Sequence, residues 1–222
     1  MKVGVLFSGG KDSCYASFLA KKAGYDICCL ISIVSENPDS FMFHTPSITC
    51  VEKQAEAMDI PLVLVKTIGK REEELYDLEK AIKLAIKKYK IKGIVTGAVE
   101  SVYQSSRIQK ICNKLGIECF NPLWQKNQEQ LIKELIKNRF DIVITGVFAY
   151  PFDVSWILRK IDKNFINEIG KLNEQYKIAV AGEGGEFESL VLNCPLFKRK
   201  LKVVGFKISG SGNAFRSEVR LK

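Results

Sequence analysis

Apolar and polar positions along the chain switch repeatedly between a strand-like and a helix-like rhythm. Lys2 to Phe7 is a short apolar and β-branched run, Ser8-Gly9-Gly10 breaks it, and Asp12 to Ala23 carries Tyr15, Leu19 and Ala23 at helical spacing. The order strand, tight loop, helix then recurs. Asp26 to Val34 reads as strand, Ser47 to Met58 as helix, Pro61 to Val65 as strand, Glu72 to Lys90 as helix and Gly93 to Gly97 as strand. Helix Tyr103 to Leu115 and strand Ile117 to Phe120 complete the series. Strands alternating with helices predict an α/β fold, a parallel sheet with helices on both faces and right-handed crossovers.

From Pro122 the rhythm loosens. Helix Gln128 to Asn138, strand Asp141 to Phe148 and helix Asp162 to Tyr176 precede three short β-like pieces, Ile178 to Ala181, Leu190 to Leu192 and Leu201 to Ile208, separated by glycine and proline. The pattern predicts a nucleotide-type domain over 1–121 and a smaller carboxy-terminal α+β region over 122–222.

Composition narrows the class. The 222 residues are 46% hydrophobic and 27% charged with 6 prolines, which excludes a disordered or collagenous chain. The longest apolar runs, such as Ile27 to Val34, fall far short of the roughly 20 residues of a membrane span. The amino terminus lacks the apolar stretch and small-residue cleavage site of a secretory signal, so a cytoplasmic location is expected. Seven cysteines without any CxxC spacing predict reduced, mostly buried thiols rather than a disulfide framework or zinc site. The net charge of +9 comes largely from lysines at helical spacing, a solvated-face pattern that leaves RNA open as a partner without arguing for it.

Ser8-Gly9-Gly10-Lys11-Asp12-Ser13 lies at the carboxyl end of the first strand and opens the first helix, at the edge where open α/β sheets bind ligands. Helix-start N–H groups lack intrahelical partners, paired glycines admit a close backbone approach, and Lys11 adds a full charge, so the loop is an anion site. The spacing is not a Walker loop, because Asp12 follows Lys11 where Ser or Thr would stand. At the other end, Gly182-Glu183-Gly184-Gly185-Glu186-Phe187-Glu188-Ser189 gathers three acids, which repel one another unless a cation, a metal or a proton transfer occupies them. Gln104 and Arg107, at i and i+3 on one helix face, are candidates for substrate or phosphate contact. His44, the only histidine, reads as a local hydrogen-bonding residue without triad partners in the sequence rather than a base, and a single histidine excludes a three-histidine metal site.

The hexapeptide SGGKDS resembles the pyrophosphate loop of the ATP pyrophosphatase (PP-loop) superfamily, and Gly97-Ala98-Val99 resembles its second nucleotide-side feature. Residues 182–189, with Val191-Leu192-Asn193-Cys194-Pro195-Leu196-Phe197-Lys198 after them, resemble the closing motif of the diphthine–ammonia ligase family. Ser40-Phe41-Met42-Phe43-His44-Thr45, Tyr103-Gln104-Ser105-Ser106-Arg107, Pro122-Leu123-Trp124 and Ser155-Trp156 are similar to its other landmarks in order. Two departures stand: Ser189 replaces a frequent Thr, and the glycine expected soon after Trp156 is absent, with Leu158 nearby.

The resemblance implies a Rossmann-like fold and an enzyme that uses ATP with Mg²⁺ to adenylate the carboxylate of diphthine on elongation factor 2. Ammonium then amidates it, with release of AMP and pyrophosphate. It implies ATP binding by Ser8, Gly9, Gly10, Lys11, Asp12, Ser13 and Gly97, metal binding by Asp12, and catalysis by Lys11, Asp12, Glu183, Glu186 and Glu188. Substrate binding falls to His44, Tyr103, Gln104, Arg107, Gly184 and Gly185. A glutaminase needs a nucleophilic cysteine beside a histidine, and with one histidine and no spare domain the chain does not supply that site, so free ammonium is the expected nitrogen source. A tRNA-modifying adenylating enzyme of the same superfamily is the alternative, no membrane partner is expected, and a homo-oligomer is left open.

Overall fold

In the computed structural model, residues 1–35, 48–68 and 73–222 are described. The first strand, β1 (Lys2–Leu6), is central in a five-stranded parallel sheet completed by β2 (Asp26–Ser35), β3 (Leu62–Thr67), β4 (Gly93–Val95) and β5 (Glu118–Phe120), in the order β3-β2-β1-β4-β5. Helices α1 (Lys11–Lys22), α2 (Ile48–Met58), α3 (Glu73–Tyr89) and α4 (Val102–Leu115) make the crossovers. Each β1 side chain chooses a face by the period of two. Val3 and Val5 join Ala16 and Ala20 of α1 and Leu131, Ile132 and Leu135 of α5 (Gln128–Lys137) on one side. On the other, Ile31 and Ile33 of β2 meet Leu78, Ile82 and Ala85 of α3 and Ile108 and Ile111 of α4. Both faces are covered, as the apolar strands require.

The strand order reverses between β1 and β4, so the loop after β1 opens at the switch point of the sheet, where a crevice forms at the carboxyl edge.

The second sheet is antiparallel, in the order β7-β6-β9-β8, built from β6 (Asp141–Val147), β7 (Phe187–Asn193), β8 (Val203–Ser211) and β9 (Ala214–Leu221). Helix α6 (Lys163–Tyr176) follows β6. Two sequence expectations are corrected here. Ile178–Ala181 is not a strand: the N–H groups of Ala179 and Ala181 are taken by the side chains of Glu186 and Gln128, at 2.8 and 2.9 Å, and not by a neighbouring strand. Strand β9, unread in the sequence, sits inside the sheet with Ser217 and Val219 buried.

The turn after Trp156 survives without its glycine. Leu158 takes the left-handed conformation at φ 62° and donates its N–H to Ile144 O at 2.8 Å. One continuous apolar cluster runs from Val3 and Val5 through Ile144 and Val147 to Val191, so the two sheets share a core. All seven cysteines are free, five of them buried. Among the described residues no helix is long and apolar enough to cross a membrane.

Candidate active site

The chain turns from β1 into α1 through Ser8, Gly9 and Gly10, and its hydroxyl groups organise that turn. Ser13 Oγ accepts from Ser8 N at 3.2 Å, lies 3.1 Å from Ser8 Oγ and donates to Gly10 O at 3.2 Å. Gly10 is the N-cap of α1 and has no side chain to cap it. An acceptor from elsewhere meets the helix start: Lys11 N donates to Ser189 Oγ of β7 at 3.2 Å, across 178 positions of sequence. Val191 N bonds Gly9 O at 3.1 Å. Strand β7 therefore lies directly against the phosphate loop.

Gly97 follows β4, and a Cβ there would stand 2.8 Å from the Asp12 carbonyl carbon and from Ser13 N. Its lack of a side chain lets the end of β4 pack against the first turn of α1, which sets the loop's depth in the crevice.

Lys11 is only 4% exposed, and its ammonium is held between two carboxylates. Nζ is 2.8 Å from Asp12 Oδ2 and 3.7 Å from Glu183 Oε1. Burial pulls the Lys11 pKa down, but the charges and hydrogen bonds of Asp12 and Glu183 outweigh it and hold the pKa above the usual 10.5. Glu183 is affected oppositely. Burial and then the Asp12 charge push its carboxyl up to about 7, against the pull of Lys11, and Glu100 and Glu186 add to the rise. One cation shared by two acids leaves Glu183 as the one that exchanges a proton near neutrality. Asp12 Oδ1 is buried without a hydrogen-bond partner among the described residues. An orphaned carboxylate oxygen at a phosphate loop suits a magnesium ion, which is commonly held by one or two carboxylates plus phosphate oxygens. No group of three or more potential metal ligands occurs among the described residues, so an all-protein cage is not what these residues form.

The three acids of the signature, expected as one constellation, separate. Only Glu183 reaches Lys11. Glu186 Oε1 accepts from Ala179 N at 2.8 Å and Oε2 from Gly184 N at 2.9 Å, so both oxygens hold the turn on which Glu183 sits. Glu188 lies on β7 with Oε1 3.4 Å from Arg216 Nη2. Gly184 and Gly185 are exposed turn residues, and Gly185, at φ 83°, takes a conformation suited to glycine.

On α4, Ser101 caps the helix by accepting from Gln104 N at 3.3 Å, and the Arg107 guanidinium stacks 3.5 Å from the centre of the Tyr103 ring. Both lie at the carboxyl edge of the parallel sheet. His44 lies outside the described residues. Gln128, its partner Glu100 and Gln54 also join the site, and no sequence motif marked them. Gln128, the first residue of α5, places Nε2 3.1 Å from both oxygens of Glu100 and accepts from Ala181 N at 2.9 Å. It ties the loop after β4 to the signature turn. Gln54 of α2 reaches the phosphate loop itself, with Nε2 2.9 Å from Gly9 O.

The family model described as Diphthamide synthase N-terminal domain matches residues 1–119, and the Diphthamide synthase C-terminal domain matches residues 127–216. The diphthine–ammonia ligase of Homo sapiens is 35% identical over 91% of this chain and 83% of its own length. That of Bos taurus is 34% identical over 97% of this chain and 88% of its own. Among solved structures, a predicted subunit of tRNA methyltransferase from Methanocaldococcus jannaschii covers 88% of this chain and 98% of its own at 20% identity, with a TM-score of 0.47, and lends no weight to the assignment. Matched in both halves and aligned along nearly its whole length with these relatives, the chain belongs to the diphthamide synthase, or diphthine–ammonia ligase, family.

Proposed function

We propose that the protein is an ATP-dependent carboxylate–ammonia ligase that completes diphthamide on elongation factor 2 in the cytoplasm. The observation that carries this reading is the meeting of Lys11 with Glu183, which brings an acid of the carboxy-terminal signature to the phosphate loop. Nucleotide chemistry and acceptor chemistry then share one site.

In the first half-reaction a carboxylate oxygen of diphthine attacks the α-phosphorus of ATP, the bond to the β-phosphate oxygen breaks, and pyrophosphate leaves. Lys11 and the N–H groups of the loop stabilise charge on the departing pyrophosphate. Magnesium held by Asp12 Oδ1 and phosphate would neutralise further charge there. In the second, ammonia attacks the acyl carbon and AMP leaves, a far better leaving group than hydroxide, so one hard step becomes two easier ones. Glu183 is the proton acceptor for ammonium, because its carboxyl titrates near 7 and it is the signature acid that faces Lys11. Glu186 holds the turn. Tyr103, Gln104 and Arg107 bind the acceptor from α4.

The test is to incubate the protein with ATP, magnesium and ammonium together with either diphthine-bearing elongation factor 2 or bulk tRNA. Pyrophosphate and AMP should appear with the elongation factor alone, and glutamine should not replace ammonium. ADP as the nucleotide product, or pyrophosphate release only with tRNA, overturns the reading.

A further inference from the structure

The phosphate loop is anchored from a residue that the chemistry above does not use. Gln54 lies on α2 with its side chain wholly buried. Its Nε2 donates to Gly9 O at 2.9 Å and to Val191 O at 2.7 Å. Two carbonyl oxygens can be met only by the donor end of the amide, which fixes its orientation. Gly9 O also accepts from Val191 N at 3.1 Å, so the phosphate loop, β7 and α2 close on one point.

The fit is mutual. Gly9 is at φ 79°, and a Cβ there would fall 2.3 Å from Gln54 Oε1, so the glycine and the amide require each other. A trans peptide is planar, and its C=O and N–H point in opposite directions. Holding Gly9 O toward Gln54 and Val191 therefore turns the Gly10 N–H away from them, toward Ser8 Oγ at 3.4 Å, a long contact that an anion can replace.

We propose that Gln54 is a positioning residue of the phosphate loop: by locking the Gly9–Gly10 peptide it presents the Gly10 N–H to the terminal phosphates of ATP, and it ties that orientation to the strand that carries the acceptor signature. This deepens the reading above and rests on it only for the identity of the anion. Gln54 touches neither nucleotide nor acceptor in this role. It acts through the Gly9 carbonyl.

The experiment compares binding of the non-cleavable analogue α,β-methylene-ATP with binding of AMP, by calorimetry, in wild-type protein and in Gln54→Met, which keeps the volume and removes both donors. The expected result is an analogue affinity about tenfold or more weaker, the scale of one lost oriented hydrogen bond, with AMP affinity kept within about twofold. A merely architectural Gln54 would lower the melting temperature and leave the ratio of the two affinities unchanged, and that overturns the proposal. Should Gln54→Met not fold, Gln54→Glu takes its place. It has the same shape and at most one donor, and an intermediate loss confined to the analogue supports the proposal. Failure of both variants to fold assigns the residue to architecture alone and overturns it. Wild-type protein that binds neither nucleotide overturns the functional reading and this proposal together, whereas wild-type binding with an unchanged ratio in the variant overturns this proposal only.

Discussion

Two glycine-rich turns meet in this protein, and they are built on opposite plans. In Ser8–Ser13 the polar groups converge, with hydroxyls on amides and a buried ammonium at the centre. In Gly182–Glu188 they diverge, with Glu183 on Lys11, Glu186 on two backbone amides and Glu188 beside Arg216. The first turn is closed by its own serines and anchored from afar by Ser189, Val191 and Gln54 onto a single point. The second divides its acids among a distant ammonium, the amides beside its own turn and an arginine of β9. Like residues in one short motif can thus take unlike tasks, and only their partners separate them.

The largest effect should come from removing the group that joins the two turns. Lys11→Ala is expected to lower pyrophosphate release by about 10²- to 10³-fold, the scale of a lost preorganised charge contact. It should also move the Glu183 titration upward, because two carboxylates then face each other without their cation. Unchanged pyrophosphate release would separate the turns functionally.

A second comparison lies within the signature. Glu183→Gln should lower amidation by roughly 10²-fold, the range for a lost proton-transfer group, with little change in melting temperature. Glu186→Gln should do the reverse. Replacing one acceptor oxygen with a donor leaves a backbone N–H unmet, which costs about 1–3 kcal/mol of stability, while amidation in the folded protein falls less than tenfold. Equal losses of amidation would restore a single constellation of acids.

The pH dependence sharpens the contrast further. A carboxyl whose folded pKa lies above its unfolded value binds more protons when folded, so its contribution to stability falls as pH rises from about 4.5 to about 7. The effect of Lys11 has the same sign in a higher window: its raised pKa stabilises the fold below the ordinary 10.5, and the benefit is lost as pH rises through the folded value. Melting temperature should thus decline between pH 4.5 and 7 less steeply in Glu183→Gln than in wild-type protein. Amidation should rise across pH 7 in wild-type protein and lose that inflection in the variant.

The smallest effect concerns the joint between α6 and the signature turn. Lys177, exposed, caps α6 in the left-handed conformation at φ 60°. Lys177→Gly should stabilise the protein by about 0.5–1 kcal/mol, a shift of a few degrees in melting, with activity unchanged. A change in amidation would show that the joint sets the position of Glu183.

How far the sequence carried these conclusions depended on how local the physics was. The order β1, loop, α1 and the parallel sheet were legible because periodicity and glycine placement act within a dozen residues. Ile178–Ala181 misled because its apolar run resembles a strand, yet its amides are met by Glu186 and Gln128 side chains. Strand β9 was available in the alternation of Phe215, Ser217, Val219 and Leu221, short and punctuated by arginines. In the site, charge and spacing pointed to Lys11 and Glu183, but nothing near Glu186 announced that its partners are amides. Gln54 did leave a trace. Val51, Gln54, Ala55 and Met58 form an apolar stripe interrupted by one amide, and a polar residue on a buried face needs partners somewhere.

The ammonium of Lys11, caught between Asp12 and Glu183, also makes nucleotide affinity and acidity interdependent. Phosphate arriving at the loop competes for that ammonium, and the acid that loses its hold most readily is the one already titrating near 7. ATP capture is therefore expected to draw a proton from solvent, with a heat that varies with the ionisation enthalpy of the buffer. Raising the pH frees the base that ammonium needs and, in the same stroke, loosens the grip on the nucleotide. The pH optimum of amidation is expected where these two opposed demands cross.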